Sequence, residues 1–332
     1  MGIWNIKTEI MALLGIDLGG SKVAFALFDH EGDMRDKETL SLDSRKGTEV
    51  GNLIAVTAAL LLAKSARDGD AVEAVGISVP GISRRDRGTV WAPNIPGWDD
   101  YPLLKEIKTI TEDIPVTIES DRACYISGEV WKGNARGCND AIFLAVGTGI
   151  GAGIMVSGNI VHGSHDIAGA IGWMALERPF RSNYTICGNF EYYASGEGIT
   201  RQAEEYLRNN SGYRGELVTA KGAKITTRDV FTAWQNGDPA AAEIIRRAVE
   251  YWGMASANLV SLFNPEKIIF GGGVFGPAVE LIPAIRLEAE KWAQPISMRQ
   301  VSFEASALGG DAGVYGAGFL AMKYHEDQKR NG

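Results

Sequence analysis

Leu14-Gly15-Ile16-Asp17-Leu18-Gly19-Gly20-Ser21-Lys22 is an apolar run that ends in an acid, turns on two glycines and leaves on a serine and a lysine. A second apolar run, residues 23–28, follows at once. Glu31-Gly32-Asp33 then signals a turn into a third strand that reaches residues 40–42. Strand, glycine turn, strand, turn, strand is the natural reading. The same layout returns after Asp140. Residues 141–146 are apolar, Gly147-Thr148-Gly149-Ile150-Gly151 turns, residues 152–156 make the second strand, and Gly158-Asn159 turns into Ile160-Val161. Letter by letter the two copies match thinly; the layout is what repeats.

Outward from these hairpins, residues 53–66 carry Ala and Leu at helical spacing between Gly51 and Gly69. Residues 73–79 read as a buried strand ended by Pro80-Gly81. Residues 93–102 hold three prolines and read as a structured loop. Residues 114–119 form a strand and 121–132 a helix. Residues 201–262 are mostly helical, 267–270 are a strand running into Gly271-Gly272-Gly273, and an Ala/Gly-rich helix, 311–324, closes the chain. Strands alternating with helices make this an α/β protein. The expected domains are 12–119, joined by the final helix 311–325, and 120–310.

The 332 residues suit two domains sharing one cleft. A net charge of −8 opposes nucleic-acid phosphates, so no nucleic-acid partner is expected. Three cysteines (Cys124, Cys138, Cys187) make no disulfide framework and point to a reducing cytoplasm. No apolar run is long enough to cross a bilayer, so no membrane partner is expected. Residues 1–11 hold Lys7 and Glu9 without an apolar signal core and read as a loose extension, with Met11 an alternative start. Glycine supplies 41 residues, where about 7% is usual, and the excess is clustered. Each cluster follows an apolar strand, where glycine lets backbone approach a ligand and exposed N–H groups can hold an anion. Neither the P-loop nor the dinucleotide pattern fits, because both hairpin clusters lead into strands where those patterns need a helix. Asp121, at the start of its helix, reads equally as a general base or as a helix N-cap.

Here a resemblance becomes specific. Residues 14–22 resemble the first phosphate segment of the ROK family of sugar kinases and sugar-responsive repressors. Glu119-Ser120-Asp121 before Ala123 resembles its catalytic segment, and Gly147 to Gly153 its second phosphate segment. Ile268-Ile269-Phe270-Gly271-Gly272-Gly273 resembles the adenosine segment, and Leu308-Gly309-Gly310-Asp311-Ala312-Gly313 the closing one. The resemblance implies a two-lobed actin-like ATPase (ribonuclease H-like) fold with the active site in the interlobe cleft. Its implied activity is ATP-dependent phosphorylation of a sugar hydroxyl in the cytoplasm by a homo-oligomer, expected as a dimer. The family's repressors carry an N-terminal helix-turn-helix, and about a dozen residues before the first strand cannot hold one, which favours the kinase.

The resemblance assigns Asp121 as catalytic base and Asp17 as the magnesium residue, holding the ion through water. Gly19, Gly20, Ser21, Lys22, Gly147, Thr148 and Gly149 become phosphate residues, and Gly271, Gly272 and Gly273 the nucleotide residues. On the sugar side it assigns Gly81, Asn94 (in Asn94-Ile95-Pro96-Gly97-Trp98), Ser120, Asp121, Trp173 and Glu191, with Trp91 and Trp98 near the mouth. This chain departs from the family there. The family's Ala-Gly-Glu-x-Gly-His reads Ala168-Gly169-Ala170-Ile171-Gly172-Trp173, so a carboxylate and an imidazole that grip sugar hydroxyls are missing. The family's structural zinc uses that histidine and three cysteines; only Cys187 stands here, so zinc is not expected. Pro179, Phe180, Tyr184 and Phe190 are expected to order the loop instead. Trp173 either stacks on a sugar ring or fills the space of the lost zinc site. His162 and His165 read as a partly exposed loop. The implied substrate is a hexose or a modified one: a glycoside, amino or anhydro sugar, or ketose. A non-catalytic sugar or nucleotide sensor of the same fold is the alternative.

Overall fold

The computed structural model describes residues 12–217 and 224–331. The extension expected over residues 1–11 lies outside the described residues. The chain divides into two compact units. The first runs through Arg136 and takes back His162–Ile167 and the chain from Asp311 onward; the second holds Gly137–Val161 and Ala168–Gly310. The division falls after Arg136 and not at Glu119, because the helix that follows Glu119 packs against the C-terminal helix of the first unit.

In the first unit, strands β1 (Ala12–Leu18), β2 (Lys22–Asp29) and β3 (Met34–Ser41) form an antiparallel meander. Helix α1 (Gly47–Asp68) leads to β4 (Val72–Val79), parallel to β1. A small hairpin, β5 (Ile82–Arg84) and β6 (Thr89–Trp91), and helix α2 (Leu103–Thr111) come next. Strand β7 (Val116–Ser120) then adds parallel to β4, and helix α3 (Asp121–Lys132) follows without a gap. The sheet order is β3-β2-β1-β4-β7. One face buries Leu14, Ile16, Val75 and Ile77 against Val50, Ile54 and Ala58 of α1. The other face, with Leu13, Ala26 and Ala74, packs on the C-terminal helix Ala312–Asn331.

By length and composition α1 is apolar enough to cross a membrane, contrary to the expectation that no run in the chain is. Its Val50, Ile54, Ala58 and Leu61 face the core just described, which is what its apolar stripe serves. Sequence reading also missed α2 and the β5–β6 hairpin. Their neighbourhood is dense in Pro, Gly and Arg, and neither element is long enough to show a period.

The second unit repeats the first sheet. Strands β8 (Ala141–Val146), β9 (Ile150–Val156) and β10 (Asn159–Ile160) are antiparallel. Helices α4 (Asn189–Ala194), α5 (Gly196–Asn209), α6 (Thr227–Gln235) and α7 (Pro239–Phe263) separate them from β11 (Lys267–Gly271), parallel to β8. Helices α8 (Ile282–Glu290) and α9 (Pro295–Gln300) lead to β12 (Ser302–Ala305), parallel to β11. The order β10-β9-β8-β11-β12 is the first sheet's order over again. Two sheets of one topology carry a glycine turn at the same place, between the first and second strands of each.

Candidate active site

Asp17 and Asp121 are the two chemically notable carboxylates of the first unit. Asp17 stands near the end of β1, opposite Ser78 on β4. Burial raises its pKa above the usual carboxylate range and Asp311 adds to the rise, while the Ser78 hydroxyl and the Lys22 ammonium pull it down. A Cβ at Gly313 would stand 2.5 Å from this carboxylate, so the C-terminal helix lies directly on it. Asp121 is the first residue of α3. The N-cap of that helix is Ser120, in extended conformation, whose hydroxyl accepts the Ala123 N–H at 3.4 Å. The structure thus gives the cap to Ser120 and leaves the Asp121 carboxylate free of that duty. Its Oδ1 accepts the Arg122 N–H at 2.8 Å and its Oδ2 faces the Tyr125 hydroxyl at 3.4 Å. Burial raises its pKa to about 6; the Arg122 charge limits the rise and Asp17 adds to it. A carboxylate poised near neutral pH is what general-base work requires.

The first glycine turn closes with Gly19 N–H donating to Lys22 O at 2.8 Å, and it leaves Gly20, Ser21 and Lys22 exposed. A Cβ at Gly20 would meet the Asn94 side chain at 3.4 Å, so a phosphate residue and a sugar residue of the expectation are neighbours. Trp98 departs from expectation. It is buried, stacked on Tyr101 with ring centroids 4.3 Å apart, and donates from Nε1 to Gly47 O. Gly81 is explained by packing, since a Cβ there would lie 2.1 Å from Trp91 O. His162 is more than loop: its Nε2 lies 3.1 Å from Glu119 Oε2.

In the second unit a cavity of about 740 Å³ opens beside the second glycine turn. Gly147, Thr148 and Gly273 line it, together with Gly196, Thr227 and Val274. The main chain of α5 braces the turn, with Gly196 N–H donating to Gly147 O at 2.8 Å. Arg201, Lys224 and Arg228 bring positive charge to the wall, only partly offset by Glu197 and Glu204. The volume suits a nucleotide-sized ligand, and the charge suits its phosphates. Sequence reading missed Gly196, Thr227, Lys224 and Arg228; the Ser195-Gly196-Glu197-Gly198 run, which caps and opens α5, was the available signal.

Three of the expected nucleotide or phosphate glycines have another reason to be glycine. A Cβ at Gly271 would lie 2.2 Å from the Phe143 ring. Gly272 has φ +89° and would meet Val146 O at 2.5 Å. A Cβ at Gly149 would stand 2.7 Å from Glu191 Oε2. That carboxylate is not the solvent-facing group a first-turn Glu suggests. Its Oε2 accepts the Ile150 N–H at 2.7 Å, behind the glycine turn. Burial raises its pKa, with the Ile150 N–H opposing and Glu197 reinforcing.

A five-stranded sheet order that occurs twice, a glycine turn in each sheet, and the half-buried Asp17 and Asp121 of the first unit are together on one chain. Residues 13–324 match the model of the ROK family. The chain belongs to the ROK family. It is 32% identical to the glucokinase of Halalkalibacterium halodurans over 96% of this chain and 97% of that one. The ROK hexokinase of Thermus thermophilus matches with a TM-score of 0.77 at 28% identity, covering 97% of this chain and all of that one. A ROK family glucokinase from Streptomyces griseus, solved with glucose and AMPPNP, matches with a TM-score of 0.74 at 29% identity over 94% and 99%. The fold is the α/β actin-like ATPase (ribonuclease H-like) fold of these ROK structures.

Around Cys187 the residues present can be tested against a zinc site. Among the described residues no group of three His, Cys, Asp or Glu stands together as a metal site. One thiol and an indole do not fit a tetrahedral zinc ion. Other contacts hold the loop. Asn189 Oδ1 accepts the Leu176 and Glu177 N–H groups, Tyr184 and Tyr193 share a 2.9 Å hydrogen bond, and Arg247 pairs with Glu177 at 3.1 Å while lying over the Tyr193 ring. Tyr184 and Phe190 are buried as expected of them, but Phe180 is 74% exposed. Trp173 is 57% exposed and so does not plug an interior space.

Proposed function

We propose that this chain is an ATP-dependent kinase acting on a hydroxyl of a hexose or modified hexose, with Asp121 as its base. The observation that carries the reading is the half-buried Asp121 carboxylate, relieved of capping by Ser120 and with its pKa raised to about 6. The sugar hydroxyl gives its proton to Asp121; its oxygen attacks the γ-phosphorus, and the bond from that phosphorus to the bridging oxygen breaks, releasing ADP. Lys22 and the exposed N–H groups of the first glycine turn meet negative charge, and Thr148 lends a hydroxyl donor beside the nucleotide cavity. Magnesium fits Asp17. A buried acid with a second acid nearby gains from a cation, and magnesium retains most of its water and so asks for few side chains. When bound it neutralises phosphate charge. The cytoplasm, where ATP and free thiols persist, suits this chemistry.

The sugar is the finer question. With Ala170 and Trp173 where the family pattern carries Glu and His, two hydroxyl contacts are missing, which favours a hexose altered near its reducing end. The exposed Trp173 face is open for stacking on a sugar ring. Among the described residues Glu191 accepts only at Oε2, from the Ile150 N–H, which leaves Oε1 for a hydroxyl. A coupled ADP-release screen across hexoses, amino sugars, ketoses and glycosides tests the reading. At least one sugar is expected to raise ADP release more than ten-fold above the sugar-free rate. ATP binding without turnover on the whole panel would favour the sensor instead. With that sugar in hand, Glu191→Gln is expected to raise its KM about ten-fold and leave the KM for ATP within two-fold. Arg122→Gln is expected to move the acidic midpoint of kcat/KM upward from about 6, because the Arg122 charge holds Asp121 down.

A further inference from the structure

Among the described residues β7 is the last strand of its sheet, with a strand partner on one side only. The base follows it directly, at a place the ladder holds poorly. Something else must fix the turn over residues 119–122 if Asp121 is to stay in register with a substrate. Besides β4 and the C-terminal helix, which pack on β7 and α3, the segment His162–Ile167 meets this turn; it belongs to the first unit, while the chain before and after it belongs to the second.

Three contacts fasten this segment around the base. His162 Nε2 lies 3.1 Å from Glu119 Oε2, two residues before Asp121. The Ile167 carbonyl accepts from Arg122 Nη1 at 3.4 Å, one residue after it, and Arg122 Nη2 reaches Gly81 O at the same distance. Asp166 pairs with Arg85, its Oδ1 3.0 Å from Nε and 2.9 Å from Nη2. Arg85 continues the β5 hairpin, whose Ser83 hydroxyl donates to Ile118 O at 2.8 Å, so this tie also ends on β7. The segment is shaped for the task. Asp166 holds a left-handed φ of +57°, which aspartate tolerates, and its carboxylate is held by Arg85. The Glu119 and His162 side chains are only 12% and 23% exposed, so their pairing is largely shielded from water. Removing the imidazole would leave a shielded carboxylate short of a partner.

We infer that His162–Ile167 is a strap that holds the base-bearing turn in place, with His162 as its positioning residue. The inference rests on the reading of Asp121 as the base and deepens it. A base displaced by an ångström loses much of its effect, so loosening the strap would act on turnover more than on ATP binding. In sequence the strap runs straight into residues 168–173, the segment read as facing the sugar, so one stretch of chain serves both.

The test compares His162→Ala with His162→Gln, whose amide can still donate to Glu119. His162→Ala is expected to lower kcat ten- to hundred-fold with the KM for ATP within two-fold. It should also speed hydrogen exchange at the amides of residues 122–125 at least ten-fold, with β1 and α1 unchanged. His162→Gln should restore most of both. Unchanged exchange at residues 122–125, or a glutamine variant as impaired as the alanine one, would overturn the strap. Failure of every sugar to be phosphorylated would defeat the kinase reading alone, because the exchange measurement needs no substrate. If His162→Ala does not fold, Asp166→Ala, which cuts the Arg85 tie, takes its place: the same losses are expected, and unchanged exchange at residues 122–125 would again overturn the strap.

Discussion

Asp121→Asn is expected to lower kcat by about a thousand-fold while ATP still binds, since a general base contributes about 10²–10⁴ to such a step. Asparagine keeps the shape and can still accept the Arg122 N–H, so the loss would report the missing proton acceptor. The wild-type kcat/KM should rise with pH and level off above about 6, where Asp121 gives up its proton. The same substitution should stabilise the fold. In the unfolded chain Asp121 ionises near 3.8, and in the folded chain it keeps its proton to about 6. The stability this group contributes is therefore present below pH 3.8 and lost as pH rises through 6. At neutral pH the buried charge costs the wild type about 3 kcal/mol. Asp121→Asn should then unfold at higher denaturant than wild type at pH 7.5 and lose that advantage by pH 4. An unchanged kcat would remove Asp121 from the role of base.

What was legible in the sequence was what is local. An apolar run that ends in Asp17 and turns on Gly19-Gly20 states its strand, its turn and the next strand within a dozen residues. Its repetition at Gly147 predicted two like sheets, and two sheets of one order are found. Contacts between distant residues were not legible. Gly149 reads as a phosphate residue, and the sequence gives no sign that Glu191, 42 positions on, also stands with its carboxylate behind it. Gly271 reads as a nucleotide residue, and the sequence gives no sign that the Phe143 ring also fills the space beside it. The His162–Glu119 pair spans 43 positions and carries no spacing signal at all. In each case the residue type stands out in the sequence while its true neighbour does not. Glycine is ambiguous by nature, because a missing side chain serves a ligand and a packed partner equally well.

Gly316→Ala shows which of those two uses dominates in the C-terminal helix. Alanine is the better helix former by about 1 kcal/mol, so an isolated helix would gain from the change. In the folded protein the new Cβ would lie 1.8 Å from Cys124 O and 2.4 Å from Cys124 C, main-chain atoms of α3 that no rotamer can move. The helices would have to part by more than an ångström. Gly76 and Gly15 show why that is costly: a Cβ at either would lie 1.9 Å from Ala317 O or 2.6 Å from Val314 O, so β4 and β1 are pressed on the same helix. Overpacking of this kind costs about 1–3 kcal/mol where side chains can yield, and more where only main chain is available. The overlap term should win over propensity, and Gly316→Ala is expected to lower the melting midpoint by about 5–10 °C. Gly212→Ala, where no atom lies within 4 Å of the new Cβ, should leave it within about 1 °C. Because α3 begins at Asp121, parting the helices should also lower turnover in the folded fraction. A Gly316→Ala protein that melts with the wild type would mean that the glycines of this helix are not there for close packing.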